Sequence, residues 1–118
     1  MRDHRKLRAF QLADELALAT YRQTRSFPQE EQFGLTSQMR RAGISIASNI
    51  VEGCARQSQA DYVRFLDMAF GSARELEYQL SLARRLEYIT KDDAVELEGL
   101  AEETLKVLSG LIRSIRAG

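Results

Sequence analysis

The residues that most often carry out chemistry in proteins are few in this sequence and far apart. It contains one histidine, His4, and one cysteine, Cys54, with no second His or Cys at the spacing that a metal site needs. Cys54 falls on the apolar side of a predicted helix, and no neighbouring histidine could activate it as a nucleophile. Both positions therefore predict ordinary side chains, a solvated histidine and a small core cysteine.

The carboxylates and glycines are numerous, but their spacing also argues against an active site. The sequence has no Glu-x-x-His pair of the kind that binds two metal ions in helical bundles. The glycines occur singly and form no phosphate-binding loop. We therefore expect no catalytic residue, no cofactor, no metal and no small-molecule substrate, and predict that the protein is not an enzyme.

Length and composition limit the scaffold that positions these residues. The chain has 118 residues, a formal net charge of zero, 44% hydrophobic residues and 29% charged residues. This is enough for one domain with a single core and too little for two. No apolar run is long enough for a membrane helix, and the first residues do not form a secretory signal. With only one cysteine, we expect a cytoplasmic protein that does not contact a membrane.

Hydrophobic periodicity predicts four helices and no strand. The helices are expected at approximately residues 9–24, 33–56, 59–88 and 91–116. The first helix is expected to end before Pro28, because a proline disfavours helical conformation in the residue that precedes it. Ser58 and Thr90 each stand three residues before an aspartate, as in a capping box. Helices of this length joined by short turns must pack side by side. The sequence thus predicts an all-α fold, an up-down four-helix bundle that occupies residues 1–118 as a single domain.

One face of the second helix differs from the Glu- and Lys-rich surface that exposed helices usually carry. The face consists of Gln38, Arg41, Ser45, Ser48, Asn49, Glu52 and Arg56. Ser and Asn are poor helix formers whose side chains seek hydrogen-bond partners. We predict a partly buried polar network, inside the subunit or against another subunit, in which Arg40 or Arg41 neutralises Glu52. A tolerant surface with no partner is the alternative.

The third helix carries apolar residues outside its predicted core stripe, which consists of Tyr62, Leu66, Ala69, Ala73, Leu76, Leu80 and Ala83. They are Met68, Gly71, Tyr78, Leu82 and Leu86, and the apolar face of the fourth helix is also wider than a bundle core requires. Surplus apolar area on so small a domain is typical of a homo-oligomer contact, so we predict self-association. The glycines at 43, 53 and 71 are expected to let helices approach closely.

Charge is unevenly distributed although it sums to zero. Residues 1–64 carry ten Arg or Lys and seven Asp or Glu, whereas residues 65–118 carry seven and ten. Most of the basic residues are arginines, which suit ion pairs and phosphate contacts. The candidates for contact with RNA or DNA are Arg2, Arg5, Lys6, Arg8, Arg22 and Arg25. A neutral domain lacks the basic excess of a dedicated nucleic-acid binder, so we expect weak, multivalent binding.

Two blocks of the sequence carry a family resemblance. Residues 27–53 have the pattern FPxxExFGLxxQxRRAxxSIxxNIxEG, and a second block spans residues 65–83. Together they resemble the 23S rRNA intervening-sequence protein family over nearly the whole chain. The resemblance implies structural or interface roles for ten motif residues, namely Gln38, Arg40, Arg41, Ser45, Asn49, Glu52, Gly53, Gly71, Ser72 and Glu75.

The resemblance also implies a four-helix bundle that assembles as a homopentamer. A similar bundle is the accessory variability protein of diversity-generating retroelements, which binds nucleic acid and partners a reverse transcriptase. That similarity is one of fold, and function follows from sites rather than folds. The biochemical role of the family is largely unassigned, and it offers no catalytic residues to carry over.

Three functional hypotheses follow from these observations. The first, which we favour, is a non-enzymatic homo-oligomeric scaffold that binds RNA or DNA weakly through arginine-rich surfaces. The second is a protein-only adaptor whose partner docks on the acidic segment from Glu87 to Glu103, which carries seven carboxylates and one lysine. The third is an enzyme, against which the missing catalytic constellations argue.

Overall fold

The computed structural model describes residues 2–118 and contains four α-helices, numbered α1 to α4. Their bounds are Arg8–Thr24, Leu35–Cys54, Gln59–Arg85 and Lys91–Ala117. Single turns of 3-10 helix precede α1 and α2, and residues 2–118 contain no strand. The all-α prediction is confirmed, and each predicted helix lies within a few residues of the observed one. No helix in this range is both long enough and apolar enough to cross a membrane.

The last two helices begin at hydroxyl side chains, as their sequence motifs predict. The Oγ of Ser58 accepts a hydrogen bond from the N–H of Asp61 at 3.1 Å, and the Oγ1 of Thr90 accepts one from the N–H of Asp93 at 3.2 Å. Each bond satisfies an N–H group that the helix itself leaves without a partner. These caps fix where α3 and α4 start, and therefore which of their faces turn toward the core.

The four helices close around one apolar core. Each helix packs against the next one in the chain, and α1 also packs against α4, in a molecule 44 Å long. The core stripe predicted for α3 is buried along its whole length, at Tyr62, Leu66, Ala69, Ala73, Leu76, Leu80 and Ala83. Because the connections are short, successive helices run in opposite directions, and the bundle has two distinct ends.

Two of the three glycines expected at close helix approaches lie at such contacts. A Cβ atom on Gly43 would lie 3.5 Å from the Cα of Ala17 on α1, and one on Gly53 would lie 2.9 Å from the Cβ of Phe65 on α3. For Gly71 the prediction is wrong within the described chain. This residue is exposed, and no atom lies within 4 Å of the position of its Cβ, because α3 turns it away from the other helices.

The start of α2 is capped by a glutamate from the preceding turn. Glu31 accepts hydrogen bonds from the N–H of Leu35 at 3.0 Å and, through its other oxygen, from the hydroxyl of Tyr88 at 2.8 Å. These two bonds, the one from Leu35 foremost, hold the pKa of the Glu31 carboxyl below its ordinary value. Glu31 thereby joins the start of α2 to the turn between α3 and α4.

We expect the variant Glu31→Gln to lose part of the acid dependence of stability. The pKa of Glu31 is lower in the folded than in the unfolded chain. Its carboxylate therefore stabilises the fold above the unfolded pKa, and this stabilisation disappears as pH falls through the folded pKa. Urea unfolding from about pH 7 to 3 should show a steeper decline for the wild type. Glu30→Gln, at the exposed neighbouring residue, is the control, and equal declines in all three proteins would contradict the assignment.

Candidate functional site

The outer side of the α2 and α3 pair carries large apolar side chains that residues 2–118 leave partly uncovered. We call this surface the α2–α3 face and define it by Gln38, Arg41, Ile44, Ser48 and Glu52 on α2, by Met68, Gly71, Glu75 and Tyr78 on α3, and by Leu86 directly after α3. Ile44 is 46% exposed, Met68 44%, Tyr78 61% and Leu86 47%. Exposed apolar side chains that cluster and are bordered by polar residues are typical of an interaction surface.

A polar seam follows the line where α2 meets α3. The Oγ atoms of Ser45 and Ser72 lie 2.8 Å apart in a hydrogen bond. The Nδ2 of Asn49 donates to the carbonyl oxygen of Ser45 at 2.9 Å and to its Oγ at 3.1 Å. Ser45 and Asn49 of the predicted network therefore bond to each other, and Ser45 bonds to Ser72, within a single subunit, whereas Ser48 is exposed and makes no such bond in residues 2–118. The seam is only partly buried, so it borders the α2–α3 face.

The charged residues predicted for this network do not join it. The Nε of Arg40 donates to the Oγ1 of Thr24 at 2.9 Å, and its guanidinium lies 4.7 Å from the centre of the Tyr21 ring, both on α1. Arg41 and Glu52 are exposed, and neither has an ion-pair partner within residues 2–118. Neutralisation of Glu52 by Arg40 or Arg41 within the subunit is therefore wrong.

Helical geometry explains why Arg40 and Arg41 do not pair with Glu52. Arg40 turns toward α1 rather than α3, and Arg41 lies about three turns from Glu52 along α2. A counter-charge for Glu52 from another subunit stays a prediction.

The variants Asn49→Leu and Glu52→Leu distinguish the hydrogen-bonded part of the predicted polar network from its charged part. Asn49→Leu removes both bonds to Ser45 and is expected to lower the free energy of unfolding by about 1 kcal/mol. Glu52→Leu removes no bond within the subunit, so its effect on unfolding should be below about 0.5 kcal/mol. Thermal unfolding and native mass should be measured for both variants. An unchanged melting temperature and native mass in both would contradict a structural role for this motif.

The antiparallel topology gathers basic side chains at one end of the bundle, where α1 and α3 begin and α2 and α4 end. We call this the basic end. Its basic residues are Arg2, Arg5, Lys6, Arg8, Arg56, Arg64, Arg113 and Arg116, and its carboxylates are Asp3, Glu52, Asp61 and Asp67. Four of the six predicted nucleic-acid contacts lie here. Arg22 and Arg25 lie at the opposite end of α1, about 25 Å away at 1.5 Å per residue.

Half of the basic residues at this end are not among the predicted nucleic-acid contacts. They are Arg56, Arg64, Arg113 and Arg116. The predicted topology could have found them, because four antiparallel helices necessarily bring these segments beside the start of the chain. A charge count along the sequence does not reveal Arg113 and Arg116, since both belong to the acidic half of the chain.

Three arginines of the basic end lie against aromatic rings of α3. The guanidinium of Arg2 is 4.0 Å from the centre of the Tyr62 ring, and those of Arg56 and Arg64 are 4.6 and 4.7 Å from the centre of the Phe65 ring. The Nη1 of Arg2 also donates to the carbonyl oxygen of Arg56 at 2.9 Å. We call Arg2, Arg56 and Arg64 the arginine cluster.

Two other basic residues of this end are occupied by carboxylates. Arg5 forms an ion pair with Asp3 at 3.0 Å, and the hydrogen bonds from Arg5 lower the pKa of Asp3. Arg116 pairs with Asp67 at 2.6 Å. Such exposed pairs contribute little to stability, but they reduce the charge that is free to attract a ligand.

The residues first considered for chemistry do not form a catalytic site in this structure. Cys54 is buried, as predicted, and burial raises the pKa of its thiol. His4 is half-buried rather than solvated, because its ring packs edge-on against Phe10 with the ring centres 4.7 Å apart. Within residues 2–118, no group of three or more His, Cys, Asp or Glu side chains could hold a metal ion.

The end of the bundle opposite the basic end carries the acidic segment of the sequence. A groove of about 640 Å³ opens here between the turn after α3 and the first turns of α4. It is lined by Arg84, Glu87, Tyr88, Ile89, Thr90, Lys91, Val95 and Glu98. Val95 is 60% exposed and is the one large exposed apolar side chain among the described residues of α4.

Two comparisons with known proteins give a match for this chain. The chain matches a family model described as 23S rRNA-intervening sequence protein over residues 5–110. It is also similar to a crystal structure at 1.70 Å of a protein with unknown function from the S23 ribosomal protein family of Bacteroides thetaiotaomicron. The identity is 30%, the match covers 89% of this chain and 95% of that chain, and the TM-score is 0.82. No curated protein matches the chain.

Proposed function

Because this chain belongs to the 23S rRNA-intervening sequence protein family, we propose that it is a non-enzymatic helical scaffold that assembles with copies of itself. The observation that carries the proposal is the α2–α3 face, where four large apolar side chains are about half exposed. Burial of apolar surface contributes roughly 25 cal/mol of favourable free energy per Å² removed from water. A second copy that covers this face would therefore stabilise the assembly by burying apolar surface that is exposed in the isolated subunit.

The shape of the α2–α3 face also suits a neighbouring helix. Gly71 has no side chain, and the space around it is open. The adjacent seam consists of short serine and asparagine side chains, and Ser45, Ser72 and the Nδ2 of Asn49 already bond to one another. A helix from another copy can approach such short side chains closely, and these bonded groups need no partner from it. Charged side chains also border this surface, namely Arg41, Glu52 and Glu75, and all three are exposed. Their charges can fix how the two subunits align along each other.

Five copies in a closed ring is the assembly that the family resemblance supports. A ring forms when one surface of each subunit binds a different surface of the next and the rotation closes. The long axes of the subunits then lie side by side, because the α2–α3 face runs along the length of the bundle. A single buried cysteine suits the reducing cytoplasm in which we place this scaffold.

Native mass, measured by light scattering during size-exclusion chromatography and by native mass spectrometry, tests the scaffold. We expect five times the 13.4 kDa of one chain, with the mass independent of concentration in the micromolar range. A protein that stays monomeric at every concentration would overturn the proposal. A stable assembly of another size would keep the scaffold and reject the number five.

Weak nucleic-acid binding is the second part of the proposal, and the basic end supports it. Eight basic residues and four carboxylates share this end, so its local charge is positive although the chain is neutral. Repetition of this end in an assembly would raise the avidity by about 10² or more without a tight single site. Binding should weaken steeply as salt rises, since phosphate contacts release counterions.

A protein-only adaptor is the alternative function, and the groove at the opposite end favours it. The groove combines the exposed side chain of Val95 with two carboxylates and two basic residues, of which Glu98 and Arg84 already form an ion pair at 3.5 Å. It therefore suits a partner that inserts an apolar anchor between polar contacts. Labelled RNA and DNA distinguish the two. If neither binds at low salt, the adaptor becomes the better account of the scaffold.

A further inference from the structure

We propose that the arginine cluster, Arg2, Arg56 and Arg64, is the site that holds the phosphodiester backbone of a nucleic acid. This inference rests on the proposed function, which names nucleic acid as a ligand without saying which residues bind it. Two of the three residues, Arg56 and Arg64, are outside the set that the sequence nominated. The cluster occupies the corner of the basic end where α2 turns into α3.

Stacking on aromatic rings holds these guanidinium groups in place before any ligand arrives. Phe65, which lies under both Arg56 and Arg64, is only 6% exposed, and Tyr62 under Arg2 is only 4% exposed. The rings are therefore fixed by the core, and the arginine stems lie across a rigid surface. A guanidinium that is already ordered loses less conformational entropy when it binds an anion.

The hydrogen-bonding edges of the cluster remain largely unoccupied. Each guanidinium has five N–H donors. Arg2 uses one of them on the carbonyl of Arg56. Arg64 forms an exposed ion pair with Asp61, whose distance of 3.7 Å is too long for a hydrogen bond and leaves the N–H donors of Arg64 available. Arg56 has no carboxylate within 4.0 Å among the described residues. These donors match the geometry in which arginine binds phosphate oxygens.

Helix capping explains only one of the three arginines. The end of α2 is the negative end of its dipole, and Arg2 neutralises it through the bond to the carbonyl of Arg56. The side chains of Arg56 and Arg64 make no such bond to a carbonyl in the described chain. A groove of about 690 Å³ lies beside Arg56 and Arg2, and its lining, completed by Ala55 and Gln57, contains no carboxylate.

The position of the cluster suits an assembly of subunits that lie side by side. Cyclic symmetry keeps equivalent ends of all subunits on the same side of a ring. One side of the ring would then present every arginine cluster, and the other side every groove at the start of α4. A single strand of nucleic acid could contact several clusters in turn, which is the source of avidity in the proposed function.

The double variant Arg56→Gln/Arg64→Gln tests the site in the full, assembled protein. Glutamine keeps much of the side-chain stem over Phe65 and removes the charge. The matched control is Arg22→Gln/Arg25→Gln, which removes the same charge at the opposite end. Fluorescence anisotropy should be measured with labelled single-stranded RNA, single-stranded DNA of the same sequence and duplex DNA, over a salt series.

We expect the cluster variant to bind at least about tenfold more weakly and to show a salt slope smaller by about 1.4 on a single strand. The control should stay within about twofold of the wild type. Equal losses in both double variants, or no loss in either, would overturn the site while leaving nucleic-acid binding intact. Absence of binding by the wild type at low salt would overturn both the site and the nucleic-acid part of the proposed function.

Folding and assembly are monitored so that the result stays decisive. Melting temperature and native mass should be unchanged in the cluster variant. If glutamine perturbs the fold, Arg56→Lys/Arg64→Lys replaces it. Lysine keeps the charge but lacks the planar fork that stacks on Phe65, so the salt slope should stay that of the wild type while the affinity falls by about threefold. An affinity equal to that of the wild type, with an intact fold and native mass, would overturn binding by the stacked guanidinium groups. Comparison of the RNA and DNA arms then identifies which backbone the site prefers.

Discussion

Tyr78→Glu is expected to convert the assembled protein into monomers. Tyr78 is 61% exposed in the subunit and lies on the outward side of α3, two turns beyond Gly71. In an assembly that covers the α2–α3 face, this ring is buried, and aromatic residues of this kind dominate interface energetics. A glutamate at this position would place a third carboxylate beside Glu75 and Glu77 and would have to lose its water on assembly. The loss at each contact should exceed about 2 kcal/mol.

Val95→Glu is the matched control for this substitution. Val95 is 60% exposed, it is also on a helix, and it lies outside the α2–α3 face. Both variants introduce one carboxylate in place of an exposed apolar side chain, so general effects of charge are common to the two. Light scattering should show a monomer for Tyr78→Glu and an unchanged mass for Val95→Glu, with equal helix content by circular dichroism. The opposite pattern would move the interface to α4 and contradict our assignment.

The helices and their core were predictable because their signals are local. The α3 stripe from Tyr62 to Ala83 repeats at the helical period, and burial follows directly from that repeat. Ser58 and Thr90 act as caps on residues only three positions away. Residues whose environment depends on sequence-distant contacts were not predictable in this way. Arg40, for example, donates a hydrogen bond to Thr24, which lies sixteen residues earlier in the chain. It is therefore not part of the network expected around Glu52.

The candidate sites were predictable only in part, because antiparallel packing redistributes charge. Along the sequence, the first 64 residues are the basic half and the remainder the acidic half. In the structure, residues of the two halves mix at each end of the bundle. Arg113 and Arg116 of the acidic half join the basic end, and Glu30 and Glu31 of the basic half lie at the opposite end. The basic end therefore carries a local positive charge that a count along the chain does not reveal.

Gly53→Ala is expected to destabilise the bundle relative to the same substitution at Gly99. Replacing glycine by alanine within a helix raises the free energy of unfolding by roughly 0.5–1 kcal/mol. Gly99 should show this increase in full, because its Cβ position meets no neighbouring side chain or helix within 4 Å. At Gly53 the new Cβ would lie 2.9 Å from the Cβ of Phe65 and 3.3 Å from the carbonyl oxygen of Tyr62. Neither atom can rotate away, so α3 must shift, which costs about 1–3 kcal/mol.

The difference between the two glycine variants isolates the steric cost, since helix propensity is common to both. The free energy of unfolding measured in urea should be about 1–3 kcal/mol lower for Gly53→Ala than for Gly99→Ala. The shift also moves Phe65 relative to α2, and with it the ring that carries Arg56 and Arg64. Gly53→Ala should therefore weaken nucleic-acid binding, whereas Gly99→Ala should not. Equal stability of the two variants would mean that α2 and α3 can separate without cost, and the close approach at Gly53 would then not be what positions the arginine cluster.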